Sequence, residues 1–559
     1  MQQRRRRRNA RTPLARVAVL AVIALLAGCA AIPGAGNVKV GLTDLEQAEQ
    51  FYQFTPQSPT AQASQEDIVR GFVAAATSNA DDYAVAREFL STEYANQWDP
   101  YYGVLIDEGS RPYRAAGDTA GVLSLSATAK VDEAGQMLPV EPGPATDMRF
   151  EFTRIDGEWR IASAPSGIIL DKSMFLAIWS SHQLYFVGTN EILVPVTRWF
   201  VAGAALATEI VGALVRGPSE HMRESLHSGF PAGAVLVTKA VPVLDGRARI
   251  DMSSEVLQAS PQAIAELRQQ LKLSLQSIPG VNGFDLLVEG TAMSELGGGI
   301  EPELVNEIAM PTGLIDGVFG AVSGGELTPM LGFADRVGEL DPQAITLSID
   351  GTQMAVLSEP GVTRLDAAGS ALLDTRAKQI APSIDVFGFL WTATRSGELQ
   401  ARGGDGVAIQ VPAPWLDGRK VAAVRLAPDG ARIAALVASE GGAQLLIAGV
   451  VRDDQGTPIR TTDEAATELW VTGDPLDFDW VGPTKFAVLS KGATATKVTS
   501  GGPGTFSTEQ GSIPGGRQLT GGGAYAQLRV LGSEGDLYAP QNSGWQRGDY
   551  DIEVLAKRG

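Results

Sequence analysis

The 559-residue chain holds one cysteine, Cys29, and three histidines, His182, His221 and His227. A single thiol makes no internal disulfide and no thiolate cluster. His221 and His227 lie six positions apart in a polar stretch after Gly217-Pro218. Tetrahedral zinc needs a third and usually a fourth ligand beside two imidazoles, so solvated loop histidines are the better reading and no metal is expected. Asp474, Asp477 and Asp479 are close enough in sequence to approach calcium together. They lack the glycine and the terminal glutamate of an EF-hand loop and read as an acidic loop instead. Trp391, Trp415, Trp470, Trp480 and Trp545 are the rings a sugar-stacking surface would use, although rings packed between sheets are the commoner role. No GxSxG elbow, Walker A loop, HExxH or GxGxxG occurs. No catalytic residue and no cofactor is therefore expected. A carboxylate pair assembled in space is invisible to spacing and stays open.

The charge is segregated. Seven of the 45 basic residues lie in residues 1–28 with no acid among them, and the rest of the chain carries 38 basic against 64 acidic residues. Such a remainder does not displace counterions from a phosphate backbone, so no nucleic-acid partner is expected. The basic run Arg4–Arg8 precedes Val17 to Ala27, eleven uncharged and mostly apolar residues. A bilayer span needs about 20 residues. A signal-peptide core behind a basic start needs fewer. The run ends in Leu26-Ala27-Gly28-Cys29 and resembles a bacterial lipobox. The resemblance implies cleavage between Gly28 and Cys29, an S-diacylglyceryl group on the Cys29 thiol and an N-acyl (palmitate) chain on its amine. Two or three chains anchor firmly where one is marginal. Residues 1–28 are then a signal peptide, and 29–60, with Pro33, Gly34, Gly36, Pro56 and Pro59, a lipidated tether. The later apolar region, Ser173 to Val215, is broken by His182, Asn190, Glu191, Arg198 and Glu209 and reads as core strands and a helix.

These groups must be positioned by several domains, because at about 100–200 residues each the length asks for three or four. Residues 61–170 predict a small α+β domain. Val69, Phe72, Val73 and Ala76 recur at helical spacing. A second helix is expected from Asp81 as its cap, burying Val85 and Phe89. Leu123, Leu125, Ala127, Ala129 and Val131 alternate with polar residues as in a half-buried strand. Met148, Phe150 and Phe152 alternate again, and Asp156-Gly157 turns the chain into Glu158-Trp159-Arg160-Ile161. Helices followed by a curved antiparallel sheet ending in this strand resemble NTF2-like domains.

Residues 182–295 predict the order β-β-α-β-β-α-β. Leu184–Val187 turns at Gly188-Thr189-Asn190 into Ile192–Arg198, and a helix from about Ala204 stops at Gly217-Pro218. Asp245-Gly246 divides a strand pair, Ser260 and Pro261 open a helix with Ile264, Leu267, Leu271, Leu275 and Ile278 on one stripe, and Phe284–Val288 closes the unit. The segments YFV…LVPVTR, LVRGPSE, FPAGAVL, RARIDMS and QQLKLSL resemble the GerMN domain, a family read as a binding module of envelope proteins.

Residues 310–559 carry a loose repeat. The strand around Ile345 with Asp350-Gly351 matches the strand around Val424 with Asp429-Gly430, 79 positions later. Phe387–Trp391 falls between them, and Phe478–Leu489 is a degenerate copy. Strand, Asp-Gly hairpin and strand at this period predict an all-β propeller of about six blades at roughly 40–45 residues each. Signal, lipobox, NTF2-like domain, GerMN domain and propeller-like domain in this order resemble the actinobacterial lipoprotein LpqB family. The resemblance implies a non-enzymatic lipoprotein on the extracytoplasmic face of the cell membrane. It would touch the bilayer through acylated Cys29 and the extracytoplasmic domain of a sensor histidine kinase of MtrB type, tuning two-component signalling. Two other readings stay open: an envelope lipoprotein that binds glycans or solutes, and a cell-wall hydrolase with a carboxylate site in the propeller.

Overall fold

Ser64 opens the first helix, Gln65–Ala75, by a reciprocal cap. Its Oγ accepts from the Asp67 amide at 3.2 Å, and the Asp67 carboxylate accepts from the Ser64 amide at 3.1 Å. Such caps contribute about 1 kcal/mol. The structure is a computed structural model, and it describes residues 56–559 except 294–298, 306–309, 325 and 543. Gly28, Cys29 and most of the expected tether lie outside the described residues.

The helix buries Ile68, Val69, Phe72 and Val73, and Phe72 meets Trp98 edge to face at 5.0 Å. The next segment departs from expectation. The second helix is only Ala84–Arg87, because Asp81, Asp82 and Tyr83 all hold positive φ (49°, 57° and 60°), which no α-helix accommodates. Phe89 is buried nonetheless. The alternating run at 123–131 also differs: it forms two strands, Ala120–Leu125 and Ala127–Asp132, which belong to different four-stranded sheets. Leu123, Leu125, Ala129 and Val131 stay buried through the bend, so one alternating pattern serves both sheets of the curved domain. Thr146–Ile155 and Glu158–Ser163 form the expected hairpin, with Asp156 and Gly157 at φ 54° and 87°, the two positive values a tight two-residue turn demands.

In the middle domain Trp179–Val187 and Leu193–Val201 pair antiparallel from Trp179↔Val201 to Val187↔Leu193. Helix Leu206–Arg216 follows and ends at Gly217, whose φ of 86° suits glycine. Val243–Leu244 and Arg247–Met252 flank Asp245-Gly246. Ser260 Oγ caps helix Pro261–Leu275 through the Ala263 amide at 3.1 Å. Ile264, Leu267, Leu271 and Leu275 then share one core with Leu184, Phe186, Ile210 and Ile250. Strand Gly283–Val288 lies parallel to Arg247–Met252, and the short strand Thr291–Ala292 adds one element to the expected order.

The C-terminal part is a propeller of six blades among the described residues, five of four strands and one, from Val421 to Thr472, of five. Five run consecutively from Ala344 to Gly548, with Asp350-Gly351 and Asp429-Gly430 joining the first two strands of their sheets. The sixth is composite. The last strand, Val554–Arg558, pairs antiparallel with Thr312–Ile315, to which Val318–Ser323 and Glu326–Pro329 are added. The same strand runs parallel to Ala344–Leu347, so main-chain bonds from the two ends of the domain close the ring.

Candidate functional site

The described residues singled out for chemistry are dispersed, and several are already engaged. His182, on strand Trp179–Val187, sits between Ser180 Oγ and Ser277 Oγ at 2.9 Å each, and burial holds its pKa below the ordinary value. His221 lies on the turn Glu220–Met222, where burial and the neighbouring Arg198 push it down to about 4. His227 is exposed and bonds Glu266 at 3.1 Å, which raises its pKa. His221 and His227 thus serve different surroundings. Among the described residues no group of three or more His, Cys, Asp or Glu side chains is arranged to hold a metal ion.

Asp474, Asp477 and Asp479 are part of strand Asp474–Trp480, not of an acidic loop as expected. Asp474 is exposed at its start, while Asp477 and Asp479 point into the propeller. Asp477 accepts from the Leu519 amide at 2.8 Å, and Asp479 from the Gly521 amide at 2.9 Å. Lys557, on the last strand, reaches Asp477 at 2.9 Å and the Phe478 and Leu519 carbonyls at 2.8 and 2.6 Å. These carboxylates tie three sheets together. Four of the five tryptophans are engaged within the propeller, Trp545 Nε1 donating to the Gln510 carbonyl at 2.8 Å. Trp391 Nε1 donates to Asp385 at 2.9 Å, Trp415 Nε1 to Thr461 at 2.9 Å, and the Arg432 guanidinium lies over the Trp480 ring at 5.1 Å.

What sequence reasoning missed is a junction where all three domains meet on the hairpin 179–201. The Trp199 amide donates to the Gly135 carbonyl of the first domain at 2.8 Å, and its Nε1 donates to the Gly504 carbonyl of the propeller at 2.8 Å. Its ring lies 4.9 Å from Phe175 and 5.9 Å from Phe506, and Lys172 caps the Phe506 ring at 4.5 Å. A side chain at Gly135 (φ 76°) would start 2.5 Å from the Trp199 carbonyl, so only glycine permits this approach. Glu468 accepts from the amide of the same Gly504 at 2.9 Å. Burial pushes its carboxyl up to about 7, against the pull of that amide and of Arg198 and Arg432. Arg432 donates to the Pro195 carbonyl at 3.4 Å, and Arg460 pairs with Glu224 across the same boundary. The available signal was a charge inside an apolar run: Arg198 in LVPVTRWFV and Glu468 in ATELWVT. No pattern rule says where such a charge finds its partner.

Three family models cover the chain in series. Residues 58–176 match "Lipoprotein LpqB, N-terminal domain", 183–294 match "Sporulation and spore germination", and 317–551 match "Lipoprotein LpqB beta-propeller domain". The chain belongs to the LpqB lipoprotein family. It is 24% identical to Lipoprotein LpqB of Thermobifida fusca (strain YX), over 93% of this chain and 95% of that one. It is 26% identical to Lipoprotein LpqB of Streptomyces avermitilis, over 83% and 84% of the two chains. Among solved structures, the first GerMN domain of the sporulation protein GerM from Bacillus subtilis is 20% identical, with a TM-score of 0.19, over 22% of this chain and 93% of that one. Membership of a lipoprotein family makes this an envelope protein held at a membrane. No helix among the described residues is long and apolar enough to cross one.

Proposed function

We propose that the protein is a non-enzymatic lipoprotein on the extracytoplasmic face of the cell membrane, anchored by acylated Cys29. We propose further that it binds the extracytoplasmic domain of an MtrB-type sensor histidine kinase and modulates two-component signalling. The observation that carries this reading is the junction around Trp199, which holds three domains as one contact body. His182, His227, Asp477, Asp479, Trp391 and Trp415 are bonded within that body's own structure, which favours a binding role over chemistry. Anchoring confines the body to the plane where a sensor domain also lives, raising effective concentration without tight intrinsic affinity. Signalling changes only if one kinase state is bound better than the other, since equal binding shifts nothing.

The test is a pull-down of the kinase's isolated extracytoplasmic domain on the processed chain, followed by kinase autophosphorylation in vesicles with and without the lipoprotein. Saturable capture with a changed phosphorylation level supports the reading. Absence of capture at tens of micromolar overturns it. Turnover of cell-wall fragments, lost on changing a propeller carboxylate, would replace it with a hydrolase.

A further inference from the structure

Outside the junction, the middle domain has a cleft of about 930 Å³ that follows strand Gly283–Val288 and the flank of helix Pro261–Leu275. Arg247, Arg249, Arg268 and Lys272 all line it, with Asp285 as the one acid in the lining. Residues 183–294 hold eight basic and ten acidic side chains, so half of the cations of an acidic domain face one concavity with a tenth of its carboxylates. Two periodicities bring this about. Arg247 and Arg249 alternate outward along a strand whose Ala248 and Ile250 are fully buried, and Arg268 and Lys272 stand one turn apart on the helix.

The four cations are not equivalent. Arg247 is engaged: it donates to Asp285 at 2.8 and 2.6 Å and to the Phe284 carbonyl at 2.5 Å. Arg268 donates to the Met293 carbonyl at 3.4 Å. Arg249 and Lys272 are exposed and have no ion pair among the described residues, although Arg249 stands opposite Asp285 in the parallel register. Asp285 is bonded by Arg247 and attracts Arg249 only at longer range, so the pair fixes one wall and leaves a guanidinium fork and an ammonium without a bonded carboxylate. Leu275, Phe284 and Leu287 add apolar surface to the same lining.

We propose that this cleft binds a phosphate ester, with Arg249 and Lys272 as the groups that contact the phosphate. A guanidinium fork matches the two non-bridging oxygens of a phosphate ester, and an ammonium beside them adds a point charge. A concave site lined by four cations against one acid concentrates such an anion, even on a molecule that is negative overall. The apolar lining suits an ester whose alcohol carries carbon, in preference to inorganic phosphate. Two sources share this chemistry, the headgroup of an anionic phospholipid and a soluble phosphodiester.

The experiment uses the processed chain from residue 29 with Cys29→Ser, which removes the acyl anchor and keeps every described residue. Binding is measured to vesicles of phosphatidylglycerol in phosphatidylcholine, to pure phosphatidylcholine vesicles, and by calorimetry to glycerol phosphate and to a glycerol phosphate oligomer. Saturable binding to phosphatidylglycerol vesicles or to the soluble esters, weakened about tenfold or more by R249Q/K272Q, is the expected result. Binding confined to the vesicles identifies the lipid source, and binding to the oligomer the soluble one. Both side chains are exposed, so the double variant should retain the parent's melting temperature, and that is checked first. No binding to any phosphate probe overturns the proposal. So does binding that R249Q/K272Q leaves unchanged, or equal binding of a glutamate oligomer. None of these outcomes bears on kinase capture, so the two readings fail separately.

Discussion

Trp199 Nε1 donates to the Gly504 carbonyl at 2.8 Å across 305 positions of sequence, in a site closed to solvent. The same residue's amide holds Gly135, so one side chain and its backbone lie between two other domains. Trp199→Phe keeps an aromatic ring against Phe175 and Phe506 but leaves the Gly504 carbonyl without this donor, and is expected to cost about 1–2 kcal/mol. Trp199→Ala also empties the space its ring fills against Phe175 and Phe506, for about 3–5 kcal/mol. Chemical denaturation checks both. The alanine variant should also split one unfolding transition into two as the propeller uncouples, and a single unshifted transition would contradict the role assigned to Trp199.

Glu468 gives the junction a pH signature. Its folded pKa, about 7, stands above the ordinary carboxyl value of 4.5 because the site is buried. Between those values the folded chain keeps a proton that the unfolded chain has released. Its contribution to stability is therefore complete below about pH 4.5 and is lost as pH rises through about 7. Glu468→Gln mimics the protonated form. It should flatten this part of the stability curve, leaving the variant relatively more stable than the parent at pH 8 than at pH 5. The check is a set of urea melts across pH 4.5–8 with both proteins. An identical pH slope would mean that Arg198 and Arg432 keep the carboxylate ionised throughout.

Most of the fold was legible because its periodicities are local. Ser260 with Pro261, Asp156-Gly157 and the two Asp-Gly turns 79 positions apart each announce an element from its own few residues. The second helix was misplaced because side chains that cap well also tolerate left-handed backbone, and Asp81 and Asp82 took the second option. The strand at 123–131 was read as one because alternation records which face is buried and not which sheet the strand joins. The junction was not legible at all. Trp199, Glu468 and Gly504 look ordinary in their own segments, and only the docked arrangement relates them. The acidic triplet failed for the opposite reason: its local pattern was clear, but the partner that explains it, Lys557, stands at the far end of the chain.

Cys29 lies outside the described residues, and its role is tested by chemistry. Cys29→Ala in the producing cell should shift the protein from the membrane pellet to the soluble fraction or leave it as uncleaved precursor, and mass spectrometry should find no diacylglyceryl or N-acyl mass. Kinase capture in solution should be unchanged by this variant while the effect on signalling in cells falls, because confinement and not contact has been removed. A membrane pellet and mass identical to the parent's would remove the anchor from the proposal.

Lys557 offers the last test, and it concerns why the ring stays closed. The residue sits on the strand that completes the sixth sheet and is buried beside Asp477 and Asp479 of the fourth. Lys557→Met keeps the apolar stem and removes the charge, leaving carboxylates in the interior with less compensation, so a loss of about 3–5 kcal/mol is expected. Asp477→Asn alone retains an oxygen for the Leu519 amide but weakens the pairing with Lys557. If the ion pair itself matters, the double variant should cost less than the two single losses added, with a coupling of about 1–3 kcal/mol. The check is a denaturation cycle on the four proteins. Strict additivity would show instead that Lys557 acts through its bonds to the Phe478 and Leu519 carbonyls alone.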